Sequence, residues 1–158
     1  MNLAIVLLLV ATAVPTIWSY EANRKCEKNR AVLCNDLYNA TRFPNFFKQR
    51  SQNDAIEELN QYSQLIKIGC ARHLRLFLCS VLMPMCTMLE ENILPCRSLC
   101  EEAKAGCESV LLNFVGLPWP ERLRCSQFPE SGNGKVCVEN KSGEQAMKKI
   151  WGKCQQFI

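Results

Sequence analysis

Eleven cysteines occur in 158 residues, and ten of them lie between Cys26 and Cys137. Ten sulfurs can close on one another in pairs. The eleventh, Cys154, stands alone near the C-terminus, behind the basic run Met147-Lys148-Lys149-Ile150-Trp151. Cysteine at about 7% of a short chain with an export leader reads as a disulfide framework rather than as a set of catalytic or metal-binding thiols.

The leader is Leu3 to Val10, eight residues without a charge, followed by small residues at Ala11, Ala13 and Ser19. It is too short to span a bilayer, and Pro15 interrupts any longer apolar run. Cleavage is expected after Ser19 rather than Ala13, which makes residues 1–19 a signal peptide. Beyond it no window of 18 apolar residues exists, so a soluble, exported, single module is expected. The sequons Asn39-Ala40-Thr41 and Asn140-Lys141-Ser142 agree with that compartment and mark Asn39 and Asn140 as candidate glycosylation sites. A net charge of +4 favours anionic surfaces only mildly and gives no argument for nucleic acid.

Helical patterning dominates the middle of the chain. Ser51 with Asp54 three positions on resembles a capping box, and apolar residues recur at Ala55, Ile56, Leu59, Tyr62, Leu65 and Ile66 up to the stop at Gly69. Leu74 to Met83 is nearly continuous and ends at Pro84, which suits a short buried helix, although periodicity alone leaves a strand open. A third helix is expected from about Cys96 to Phe114, entered at Pro95 and ended by Gly116 and Pro118. The segment from Cys125 to Cys137, with Pro129 and Ser131-Gly132-Asn133-Gly134, reads as loop.

The third helix restricts the pairing. At 100° per residue Cys96, Cys100 and Cys107 share one face, yet Cys96 and Cys107 are about 16 Å apart along the axis. A disulfide needs Cα atoms within about 7 Å, so Cys107 pairs with neither of the others. Three bonds must leave this helix for other segments.

Several short motifs now fall into one order: Tyr38-Asn39-Ala40-Thr41 with Pro44-Asn45, Phe77-Leu78-Cys79-Ser80 with Pro84-Met85-Cys86, and Leu94-Pro95-Cys96-Arg97 with Cys100-Glu101. Trp119-Pro120 before Cys125 and Phe128-Pro129 complete it. Together they resemble the Frizzled cysteine-rich domain, over Cys26 to about Cys137. The resemblance implies a mainly α, disulfide-rich helical domain with minor β structure over residues 20–138, leaving 139–158 as a basic C-terminal tail. It also implies five disulfides: Cys26–Cys86, Cys34–Cys79, Cys70–Cys107, Cys96–Cys137 and Cys100–Cys125.

Domains of this kind bind acylated Wnt proteins, taking the fatty chain in an apolar groove. The groove positions implied here are Gln61, Tyr62, Leu65, Ile68, Leu76, Phe77, Val81 and Leu82, with a second contact at Trp119 and the Cys137-Val138 pair. On the residues alone, Tyr62, Leu65, Leu76 and Phe77 at helical spacing would be ordinary core, and Trp119 a loop plug. One departure stands out: Ser63-Gln64 occupies a place where many relatives carry an apolar residue and a proline. If Gln64 faces the groove, displacing water from its amide costs about 1–3 kcal/mol unless a hydrogen bond replaces it.

The resulting expectation is a secreted Wnt-binding module, a soluble antagonist or modulator of Wnt signalling. The alternatives are an extracellular lipid-binding or adhesion module, or a truncated form of a Frizzled receptor. The only histidine, His73, stands between Arg72 and Arg75 with no nucleophile implied, and no cysteine spacing suits zinc, so no enzyme, cofactor or metal is expected. In the tail, Ala146, Met147, Ile150, Trp151 and Cys154 would share a face of a short helix beside Lys148, Lys149 and Lys153. Heparan sulfate is a candidate partner for it, and Cys154 a candidate link in a disulfide-bonded dimer.

Overall fold

A computed structural model describes residues 25–140 except residue 133. The expected leader, the cleavage point, Cys154 and the basic tail lie outside the described residues. Two short strands, β1 (Cys26–Lys28) and β2 (Ala40–Arg42), pair antiparallel with Cys26 opposite Arg42 and Lys28 opposite Ala40. Four helices follow: α1 (Gln52–Gln61), α2 (Ser63–Ile68), α3 (Leu74–Leu82) and α4 (Arg97–Val115). Two single 3-10 turns, Glu121–Leu123 and Cys125–Gln127, lead the chain back across α4.

Ser51 caps α1: its Oγ accepts from the N–H groups of Asn53 at 3.1 Å and Asp54 at 3.3 Å, satisfying two donors that the first turn leaves open. The single helix expected from Ser51 to Gly69 is broken at Tyr62, whose N–H turns back to the Leu59 carbonyl at 3.1 Å. Burial explains the break. Ala55 and Leu59 form the inward stripe of α1, but Leu65 lies about 240° around from Leu59 in a continuous helix and would face solvent. Restarting the helix at Ser63 turns Leu65 inward.

α3 settles the open choice between helix and strand. All of its residues are buried except Arg75, as befits a helix apolar on every side that others enclose. Tyr38 pins its end, its hydroxyl reaching the carbonyls of Cys79 at 2.8 Å and of Met83. Burial pushes that phenol far above its ordinary pKa. Buried Asn45 does similar work: its Nδ2 donates to the Leu82 carbonyl at 2.9 Å, and its Oδ1 accepts from the N–H groups of Phe47 and Gln49.

Five disulfides join these pieces: Cys26–Cys86, Cys34–Cys79, Cys70–Cys107, Cys96–Cys137 and Cys100–Cys125, with Cα atoms 5.0–5.7 Å apart. Cysteines 96, 100 and 107 thus reach three different segments. α4 begins at its N-cap Cys96, runs beyond the expected Phe114 to Val115, and closes on Gly116 in the left-handed region at φ 71°. Mid-helix, Gly106 meets the turn after α2 so closely that an added Cβ would lie 2.4 Å from the Cys70 carbonyl oxygen and 2.9 Å from the Ala71 Cβ. Gly106→Ala is therefore expected to cost about 1–3 kcal/mol, lowering the melting temperature by about 5–15 °C in calorimetry despite its better helix propensity.

Candidate functional site

α2 is tied at both ends to the far half of α4. Its C-terminal end runs into Cys70, bonded to Cys107. At its N-terminal end Tyr62 shares a cleft of about 360 Å³ with Arg122, just past the loop that leaves α4. Phe114 lies seven residues beyond Cys107, within about 20° of the same helical line and about 10 Å along the axis. It is 83% exposed, and Ile68 on α2 is 61% exposed.

Half-buried Tyr62, buried Leu65 and exposed Ile68 lie along α2, whose C-terminal end the Cys70–Cys107 bond holds to α4. Leu112, Phe114, Val115 and Leu117 are at least half exposed at the end of α4. Exposed apolar residues on one helix end of a small domain suit a contact surface. The sequence reading missed this part of α4, treating Phe114 only as a helix end; the apolar run Leu111-Leu112 to Phe114-Val115, on a helix whose other face carries cysteines, was the available signal.

The α3 residues implied for the groove are buried: Phe77, Val81 and Leu82 are fully enclosed and Leu76, like Leu65 on α2, nearly so, because α3 is the central helix and its neighbours cover it. Phe77 packs edge-on against Phe128 at 5.4 Å between centroids and faces Trp119 at 6.1 Å. Trp119 is only 8% exposed, its Nε1 donating to the Leu123 carbonyl at 3.0 Å. It plugs its own loop against Phe77. Val138 is also buried, its N–H donating to the Leu94 carbonyl and its carbonyl accepting from the Cys96 N–H, both at 2.9 Å.

Beside Val138 a second cleft, about 390 Å³, opens between the 89–94 loop and the 127–136 segment; Leu89, Leu94, Phe128, Pro129 and exposed Val136 give it apolar walls.

The Tyr62 end of α2 is polar. Exposed Gln61 joins Asp54, Glu57 and Glu58 there, and Arg122 pairs with Glu58 Oε1 at 3.0 Å while its guanidinium lies 4.0 Å from the Phe47 ring centroid. Gln49 Nε2 donates to the other Glu58 oxygen at 2.8 Å. Partial burial raises the Tyr62 phenol above its ordinary pKa, helped by the Glu58 charge and opposed by Arg122. Gln64 is exposed and Ser63 half-buried beside this polar end.

Of the two sequons, Asn39 is exposed, while the Thr41 hydroxyl is buried and donates to the Pro84 carbonyl at 2.8 Å. Asn140 Nδ2 donates to Glu102 Oε2 at 2.8 Å, and His73 Nδ1 meets Glu102 Oε1 at 2.6 Å. The Asn140 bond, then the hydrogen bond and charge of His73 with some help from Arg72, hold the Glu102 carboxyl below its ordinary pKa against partial burial. A depressed carboxyl stabilises the fold above its unfolded pKa and loses that effect as pH falls through the folded value. The melting gap between wild type and Glu102→Gln should thus be about 1–5 °C at pH 7 and close below about pH 4. Thermal scans across pH check this.

No His, Cys, Asp and Glu grouping among the described residues suits a metal, and no helix there is long and apolar enough to cross a membrane. The model of the Fz domain matches residues 26–132. The crystal structure of the selenomethionine-labelled Smoothened CRD is similar, with a TM-score of 0.53 and 26% identity over 69% of this chain and 96% of that one. A mostly helical body, five disulfides and this match over more than half its length make the chain a member of the Fz domain family, an extracellular, cysteine-rich ligand-binding module.

Proposed function

We propose that the chain is secreted and binds acylated Wnt proteins, taking the fatty chain along the groove between α2 and the end of α4 and acting as a soluble antagonist. The observation that carries this reading is the exposure of Ile68 on α2 and Phe114 near the end of α4, large apolar side chains left in water on two helices that the Cys70–Cys107 bond joins. Each methylene of a lipid buried there contributes about 0.8 kcal/mol, and the groove walls lose their own exposed area at about 25 cal/mol per Å². A loop of the same ligand would meet the cleft at Leu89, Leu94 and Val136. The full chain, added to cells that report Wnt signalling, should lower the signal in proportion to dose. An unchanged signal at saturating concentration would remove the antagonist part.

A second reading, an extracellular lipid-binding or adhesion module, is favoured by the polar end of the groove, where Gln61, Gln64 and the Glu58–Arg122 pair adjoin Tyr62. Such an end suits an amphiphile with a hydrogen-bonding head better than a wholly apolar chain. Native mass spectrometry of the secreted protein separates the readings: a retained sterol or other polar-headed lipid supports the second, a retained fatty acid the first.

A further inference from the structure

Ion pairs among the described residues absorb part of the positive charge of the domain, leaving Lys48, Lys67, Arg72 and Lys135 without one at scattered positions. Arg75 is paired with Asp36, Arg97 with Glu130, Lys104 with Glu108, Arg122 with Glu58 and Arg124 with Glu121. Arg42 is turned to the carbonyls of Thr87, Leu89 and Glu90. Lys28 and Arg50 enter no ion pair among the described residues, and Arg30 reaches only the neutral Asn53 Oδ1, at 3.2 Å. All three are exposed.

One buried side chain gathers them. Gln52 is almost fully enclosed; its Nε2 donates to the Lys28 carbonyl and its Oε1 accepts from the Arg30 N–H, both at 2.9 Å. Arg50 stands two residues before Gln52, within about 7 Å along the chain. Lys28 and Arg30 are two apart on an extended segment, about 7 Å from one another on one face. The nearest anions in sequence turn elsewhere: Glu27 alternates to the other face of β1, and Asp54 lines the cleft with Glu57 and Tyr62.

We propose that Lys28, Arg30 and Arg50 form a docking face for a linear sulfated polysaccharide. An open row of cations fits a repeating polyanion, whose charges recur along its length, better than a single small anion, which would need a concave site. A bilayer is a poorer fit because Val32 is the one large apolar side chain exposed on the segment that follows Arg30, too little to insert. Arg50 follows Gln49, which lines the cleft at Tyr62, so a glycan bound at Arg50 would run past that polar cleft. The module is thereby concentrated at glycan-rich surfaces.

The test is elution of the full chain from immobilised heparin in a salt gradient. A variant with Lys28→Glu, Arg30→Glu and Arg50→Glu should elute at about half the salt concentration of wild type or less, because each lost contact weakens a screened electrostatic bond. A control with Lys67→Glu, Arg72→Glu and Lys104→Glu makes the same charge change elsewhere and should elute close to wild type. Mass spectrometry should show five disulfides in both. Equal shifts in the two variants would reduce the effect to net charge and overturn the proposal. So would retention that survives the first variant but is lost with Lys148→Glu, Lys149→Glu and Lys153→Glu, or capture by phosphatidylserine vesicles in place of heparin.

Discussion

Replacing both Cys70 and Cys107 by alanine should lower stability by about 3–4 kcal/mol and abolish ligand capture at 37 °C. The bond closes a loop across a sequence separation of 37, and the chain-entropy model gives a cost of that order for freeing it. Its position makes the effect larger for function than for folding alone. The bond is the anchor that holds the end of α2 against α4, and Gly106 allows the Cys70 carbonyl to approach there. Without it one groove wall is free to move away from the other. Cys107→Ser alone should be worse than the double change in yield, because Cys70 is left as a reactive thiol amid four other disulfides. Denaturant unfolding of the secreted proteins and non-reducing gels measure both effects. A double variant that unfolds at the wild-type midpoint and still binds ligand would show that α2 is positioned by packing alone.

Phe114→Asp tests the groove without touching the core. Because Phe114 is 83% exposed, the change should shift the melting temperature by no more than about 2 °C, in line with surface substitutions elsewhere in proteins. Affinity for an acyl chain should fall about 30-fold or more, since a large apolar contact is lost and a carboxylate is placed where lipid would exclude its water. Ile68→Asp on the opposite wall should act in the same direction. Val32→Asp, at an equally exposed apolar residue on the turn after β1, should have no effect on lipid binding. Equal losses from Phe114→Asp and Val32→Asp would deny the groove its specificity.

How much of this was legible in the sequence depends on how local each signal is. Ser51, Gly69, Gly116 and Pro84 act within one turn, and the helices start or stop where these residues stand. The break at Tyr62 was hidden because the apolar spacing through Leu59 and Leu65 fits two helical registers, and only the core beneath them selects between the two. The β1–β2 hairpin gave no alternating pattern over three residues; it is held by Cys26–Cys86 and by the Thr41 hydroxyl on Pro84, contacts made across more than 40 residues. The disulfide pairing came from the family resemblance, since helix geometry showed only that Cys107 pairs with neither Cys96 nor Cys100.

The groove residues were harder to read for a similar reason. Resemblance pointed to α2 and α3, but an apolar residue on a central helix looks the same in sequence whether it lines a groove or fills the core beneath one. Phe77, Val81 and Leu65 are buried, whereas Ile68 is exposed. Phe114 was overlooked because its exposure depends on where α4 ends relative to α2, a relation set by Cys70–Cys107 and not by any neighbouring residue.

The central claim is that an apolar chain on the ligand is what this domain grips. Its most direct measurement is biolayer interferometry of the full chain against one acylated Wnt protein and the same protein after enzymatic removal of its acyl group. The account predicts binding to the acylated form at least about 100-fold tighter than to the deacylated form, a gap of roughly 2.7 kcal/mol, with most of it lost in Phe114→Asp. Equal binding of the two forms, or no binding to either at concentrations where other Fz domains bind, would contradict it.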